Sequence, residues 1–246
     1  MAIGLFVLCV VVLAAAVAHF VMSPPSKGSA PPTNASSVTA VPRETNAMED
    51  LPPLPDDVVS LVNLGNEMLQ RRLLPQATRI YLEALKKNPE DEEVHFNLGF
   101  AYKQQKMTNE AIHEYEECLR ILPGYAEAHN NLGNLLLGQR KFSEAINHFN
   151  AALKSMPENS SAMNNLGLAF ASQGKTAEAI PHFLEAIQVN ANYLEAHFNL
   201  ANAYLSIGSN DLAEAEYREV LRINPDLGSL VEAARARVKR TPTESK

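Results

Sequence analysis

The chain has 246 residues and a net charge of −7, room for one or two domains. Its acidity is concentrated in residues 58–227, which hold 14 Lys/Arg against 21 Asp/Glu, and such a surface is a poor counterion for phosphate backbones. Nucleic acid is therefore disfavoured as a partner, and two cysteines, Cys9 and Cys118, are too few to imply a disulfide framework.

The first element in chain order is the apolar run Ala2–Met22, broken only by His19. As a helix it spans roughly 31 Å, close to the ~30 Å hydrocarbon core of a bilayer. No Lys or Arg precedes it, and it is longer than the h-region of a cleaved signal. We therefore expect 1–22 to act as a retained single-span anchor. Ala16-Val17-Ala18 keeps open the alternative of a signal cleaved near Ala18, with secretion of the remainder. A short tail ahead of a signal-like span favours a periplasmic or lumenal location for the rest of the chain. The single nearby cation, Lys27, favours the cytoplasmic side instead. Residues 23–57 then carry eight of the fifteen prolines, among Ser, Thr, Ala and Asn, and read as a disordered linker.

From Val58 the sequence repeats itself every 34 residues without insertion or deletion, as 58–91, 92–125, 126–159, 160–193 and 194–227. The recurring cores begin VNLGNEM at Val62, FNLGFAY at Phe96, NNLGNLL at Asn130, NNLGLAF at Asn164 and FNLANAY at Phe198. Each repeat predicts two antiparallel helices, at about positions 1–14 and 18–31. Position 8 is Gly65, Gly99, Gly133, Gly167 and Ala201, which indicates helices in close contact. Position 20 is always alanine, and position 24 is always aromatic: Tyr81, Tyr115, Phe149, Phe183 and Tyr217. Position 32 is Pro89, Pro123, Pro157 and Pro225, with Ala191 as the exception, and should stop the second helix. No single repeat can bury its apolar face, so stability must come from stacking. After the last repeat, residues 228–246 predict a capping helix begun by Ser229. Leu230, Ala234 and Val238 form its apolar side and Arg235, Arg237, Lys239 and Arg240 its solvated side.

The fixed 34-residue period with an L-G-x-x-aromatic core resembles the tetratricopeptide-repeat family across residues 58–227. The resemblance implies an all-α, right-handed superhelical solenoid of helix-turn-helix repeats. It also implies that positions 2, 5, 6, 9, 12 and 13 of each first helix face a concave groove. Position 6 is asparagine throughout: Asn63, Asn97, Asn131, Asn165 and Asn199; position 9 adds Asn66, Asn134 and Asn202. A carboxamide donates and accepts, so a row of them can hold the main chain of an extended peptide. The row is similar to the asparagine ladder of O-linked N-acetylglucosamine transferase repeats, whose motif is matched at Asn130–Asn134. The alternative is that each amide bridges neighbouring helices. Phe96, Phe100 and Phe198 are candidate anchors for apolar ligand side chains, while Glu93, Glu127 and Glu195 tilt the groove towards neutral or basic ligands. The lysine-arginine clamp that some family members use on a chain terminus is replaced here by Val62, Glu127 and Asn131.

His95, His129 and His197 share position 4 and read as side-on packing rather than metal ligands, and His113, His148 and His182 as surface residues. No catalytic constellation, cofactor motif or metal cluster appears at usable spacing. Only 19 residues follow the last repeat, too few for a catalytic domain. The expected role is a non-enzymatic, membrane-tethered scaffold that binds other proteins in the groove, of the kind found among assembly factors. The alternatives are a recognition subunit for an enzyme bound in trans, and a homo-oligomeric structural scaffold.

Overall fold

The computed structural model describes residues 53–238. The expected membrane segment at 2–22, most of the linker and the tail after 238 lie outside the described residues. Ten helices form five hairpins: α1 (Val58–Gln70) with α2 (Leu74–Lys87), α3 (Glu92–Gln104) with α4 (Thr108–Ile121), and α5 (Ala126–Gly138) with α6 (Phe142–Ser155). The remaining two are α7 (Ser160–Ser172) with α8 (Thr176–Val189), and α9 (Leu194–Ser206) with α10 (Asn210–Ile223). A 3₁₀ turn at Pro225–Leu227 leads into α11 (Gly228–Val238). The hairpins stack in chain order, each packing against the next, to give a solenoid. Among the described residues no helix is long and apolar enough to cross a membrane.

Local chemistry sets the hairpin. Each first helix closes with a left-handed residue at position 15: Arg72, Lys106, Arg140, Gly174 and Gly208, with φ between 58° and 81°. The next amide reaches back to the carbonyl five residues earlier, as in Leu73 to Met68 and Lys141 to Leu136, both at 2.9 Å. This is the Schellman arrangement, and it fixes the turn at the same place in every repeat. Three of the five repeats also cap the first helix with a side chain, from Asp57, Asp91 and Asn159.

The core is the aromatic side chain at position 24 seated in a notch at position 8. All five rings are fully buried, as are the alanines at position 20. A methyl built on Gly133 would lie 2.7 Å from Phe149 Cε1; on Gly167, 2.7 Å from Phe183 Cε1; and on Gly65, 2.6 Å from Tyr81 Cε1. In these repeats the ring occupies the space a methyl would need, and glycine's conformational cost in a helix, about 0.5–1 kcal/mol, is offset by burying a whole ring, about 1.5–3 kcal/mol. The fifth repeat places Ala201 at this position against Tyr217, both fully buried.

The end of the array departs from expectation. The last helix begins at Gly228, so Ser229 lies inside it rather than capping it; Asn224 instead caps the preceding turn through Asp226 N, 3.1 Å away. Its buried residues are Val231 and Ala234, which pack with Phe198, Tyr217 and Val220. Arg235 does not stand on a solvated face. It bonds Glu214 and Glu232, and its guanidinium sits 5.6 Å over the Tyr217 ring.

Overpacking the notch should be costly: Gly133→Val is expected to lower stability by about 1–3 kcal/mol in denaturant melts monitored by circular dichroism. Gly138→Ala, with nothing within 4 Å of the added methyl, should raise it by about 0.5 kcal/mol.

Candidate binding groove

The first helices of successive repeats touch one another (α1 with α3, α5 with α7, α7 with α9), and no comparable contact joins the second helices. The first helices therefore line the inner side of the stack. There, between repeats 1 and 4, lies a cavity of about 430 Å³ bounded by Leu69, Phe96, Asn97, Phe100, Glu127, Asn130, Asn131, Asn159 and Ser161. A larger hollow of about 550 Å³ is walled by α2 side chains alone and lacks convergent groups from a second element.

Five predicted site residues occupy unlike environments at one repeat position. Asn97 and Asn131 border the cavity, and Asn63 is exposed outside it. Asn97 Nδ2 donates to Asn66 Oδ1 at 3.2 Å, Asn165 Nδ2 to Asn130 Oδ1 at 3.0 Å, and Asn199 Nδ2 to Asn164 Oδ1 at 2.9 Å. These bonds stitch one repeat to the previous one. Asn165 is only 9% exposed and Asn199 only 1%, so neither offers a ligand much of its amide. Asn131 Oδ1 instead accepts from Lys103 Nζ at 2.8 Å.

Position 9 divides in the same way. Asn66 and Asn202 accept the buried hydroxyls of Tyr81 and Tyr217 at 2.6 and 2.7 Å. Asn134 belongs to a repeat whose ring, Phe149, has no hydroxyl to occupy it. Repeat 2 shows the converse: Phe100 takes the asparagine's place, and the buried Tyr115 hydroxyl has no protein partner.

Of the three phenylalanine anchors, Phe96 and Phe100 border the cavity, with Phe96 braced on Tyr125 and Tyr115 at ring separations of 4.9 and 5.8 Å. Phe198 is not available: it is 1% exposed, covered by Val231 and Ala234 of α11 and edge-on to Tyr217. Sequence reading missed Leu69, Asn130, Asn159 and Ser161 in the cavity wall, and Lys103, which reaches that wall through Asn131. Lys103 sits at position 12, a groove-facing place whose occupants were legible but whose solitary cation among leucines and alanine carried the signal.

The position-4 histidines are hydrogen-bonded straps between repeats, which goes beyond side-on packing. Nε2 of His95, His129 and His197 reaches the carbonyl of Pro89, Pro123 and Ala191 in the preceding repeat at 3.0–3.1 Å. Nδ1 meets position 23 of the same hairpin, which is Glu114 at 2.7 Å, His148 at 2.9 Å and Glu216 at 2.6 Å. His148 is accordingly half-buried and paired, and His182 stacks on Phe170. For His95, burial opposes the charge, but the Glu114 carboxylate and the Pro89 carbonyl outweigh it and hold the pKa above the ordinary value. For His197, Glu216 does the same against burial. For His148, burial and the facing His129 push the pKa down. Among the described residues no cluster of three metal-ligating side chains occurs. Burial pushes the Cys118 thiol up to about 12, which makes it inert packing.

An array of helical hairpins with a furrowed inner face is a protein-interaction scaffold. Four tetratricopeptide-repeat family models match, at residues 65–106, 97–158, 130–193 and 170–238, and the chain belongs to that family. No curated protein matches the chain. Among solved structures it is similar to MamA 41-end from Desulfovibrio magneticus RS-1, at 18% identity and a TM-score of 0.64 over 71% of this chain and 99% of that one. It is similar to YrrB, described as a TPR protein with an unusual peptide-binding site, at 20% and 0.62 over 73% and 92%. It also resembles Pseudomonas aeruginosa pilF, at 22% and 0.62 over 76% and 93%. These likenesses establish the fold, a right-handed superhelical solenoid of helix-turn-helix repeats.

The two kinds of histidine strap should respond to pH in opposite directions. A raised folded pKa gives His95 and His197 a contribution present below about 6.5, their unfolded value, and lost as pH rises through the folded value. A lowered one gives His148 a contribution present above about 6.5 and lost as pH falls through the folded value, where two N–H groups would meet head-on; Glu144, one turn away, only softens this. His148→Glu should therefore gain on wild type by about 1 kcal/mol between pH 7.5 and 5 in parallel thermal melts.

Proposed function

We propose that this chain holds an extended segment of another protein in its inner groove, without catalysis, and does so as a membrane-tethered assembly factor. The observation that carries the reading is the cavity where Phe96 and Phe100 meet the amides of Asn97, Asn130 and Asn131. An apolar floor with a few polar groups that both donate and accept suits a peptide, whose side chains and main chain need both. Asn165 and Asn199 are buried, and Asn66 and Asn202 accept tyrosine hydroxyls; Asn97, Asn130 and Asn131 also bond within the protein but border the cavity, which concentrates binding on repeats 2 and 3 rather than along a five-rung ladder. YrrB, which shares the fold, is described as carrying a peptide-binding site. The tether is residues 2–22, and a periplasmic or lumenal placement of the repeats is part of the proposal.

The test is cross-linking and affinity capture with the full-length chain in its membrane, comparing wild type with Asn131→Ala/Phe100→Ala. Both positions border the cavity; Asn131 accepts a single bond between repeats, from Lys103, and circular dichroism with a cooperative melt is to show that the variant remains folded. Partners should be lost, with an affinity fall of at least about tenfold, or about 1.4 kcal/mol. Partners that persist unchanged would place recognition elsewhere, and capture of the chain's own copies alone would favour the homo-oligomeric scaffold.

A further inference from the structure

The groove carries a charge pattern that packing does not require. On α3, Glu93, Asn97, Phe100 and Lys103 succeed one another at three- and four-residue steps, and so share one face of the helix. Glu93 is exposed at one end of that face. On α5, Glu127 stands at the corresponding end and borders the cavity. The opposite end is held by Lys103, a half-buried ammonium whose Nζ donates to the neutral Asn131 Oδ1 at 2.8 Å. Burial alone acts on it and holds its amine below the usual lysine range; no charged group among the described residues counters the effect.

A half-buried ammonium with one protein acceptor, and that one neutral, favours a carboxylate above any other incoming group. The acid at the other end favours a cation. We propose that the segment bound in the groove places an acidic side chain on Lys103, an apolar side chain on Phe100 and a basic side chain beside Glu93 and Glu127. This inference rests on the peptide-binding reading above and gives that peptide a composition and a direction. From position 93 to 103 the helix advances by roughly 15 Å at 1.5 Å per residue. An extended peptide covers that distance in about four or five residues at ~3.3 Å each. The basic and acidic residues are therefore about four or five positions apart, with the apolar one between them. The segment runs along α3 and α5, across the stack, and its register is set by charge where amides alone would let it slide.

The test uses the full-length chain in detergent and a library of random peptides displayed with both ends joined to a carrier. Wild type, Lys103→Met and Lys103→Arg are selected against separately, after circular dichroism confirms that all three are equally helical. Wild type should enrich the basic–apolar–acidic pattern. Lys103→Met should keep the apolar residue and lose the acidic one, and should bind the wild-type consensus peptide at least about tenfold more weakly; Lys103→Arg should retain the preference. Raising the salt concentration should weaken wild type towards the methionine variant. Peptides enriched on wild type without an acidic residue, or an acidic preference that survives Lys103→Met, overturn the inference while leaving peptide binding intact. Acidic enrichment found only in a parallel library with free C-termini overturns it too, because a chain terminus is then the ligand. If wild type enriches nothing, the peptide-binding reading fails and takes this inference with it.

Discussion

Every repeat is held by one contact, a six-membered ring pressed into the gap left by a missing or minimal side chain on the facing helix. The gap at position 8 exists because glycine or alanine stands there, and the ring at position 24 fills it completely. This fit fixes the depth and rotation of one helix against the other. With identical turns at position 15, it makes five hairpins of nearly one shape. Stacking similar shapes brings the same repeat positions together at successive interfaces, so one residue type at position 6 or position 4 can serve as a strap in three of the five repeats.

Those straps explain why polar residues recur where hydrophobic ones would pack as well. Asn97, Asn165 and Asn199 each give a proton to the amide of the repeat before, and His95, His129 and His197 each give one to its terminal carbonyl. A hydrogen bond between buried amides contributes only about 0.5–1.5 kcal/mol net, but it has a direction and a register that apolar contact lacks. In a fold whose stability is a sum over interfaces, such bonds keep each hairpin from sliding on its neighbour. The fourth repeat has Met163 where repeats 2, 3 and 5 have histidine, and there Asn164 and Asn165 are both buried and bonded to each other and across both interfaces.

The period made the fold legible, because glycine, alanine, ring and turn recur at fixed phase and answer only to partners inside the same hairpin. The site was legible in part, because its residues answer to partners that change from repeat to repeat. Asn66, Asn134 and Asn202 look equivalent in sequence. Two of them are claimed by tyrosine hydroxyls and the third is not, since its ring is Phe149. Phe96 and Phe198 open the same motif, FNL, at the same position. One borders the groove and the other is sealed by α11, which packs on α9 where the first helix of a further repeat would lie. The end of the array thus withdraws from binding the very residues that its periodicity advertises. Ser229 illustrates the same limit, since an available capping side chain was bypassed once the Asn224 turn had already delivered the chain into the helix.

The cavity is walled mainly by a short stretch of repeats 2 and 3. Three departures fall in these repeats: Phe100 stands where repeats 1, 3 and 5 have asparagine, Lys103 where the others have leucine or alanine, and His148, like His182 in repeat 4, where repeats 2 and 5 have glutamate. Each departure has a local cost. The Tyr115 hydroxyl loses its partner to Phe100, Lys103 is partly desolvated, and His129 faces a second imidazole instead of a carboxylate. Stacking requires none of the three, since repeat 5 carries Asn202, Leu205 and Glu216 at the same positions. They lie in the two repeats that supply most of the cavity wall, and on the proposed reading they are what a bound segment would recognise, because it gains specificity only from features that differ between repeats. A uniform ladder would bind main chain in any register; on the proposed reading the irregular pair of repeats, with acid, phenylalanine and lysine in fixed order, would accept one.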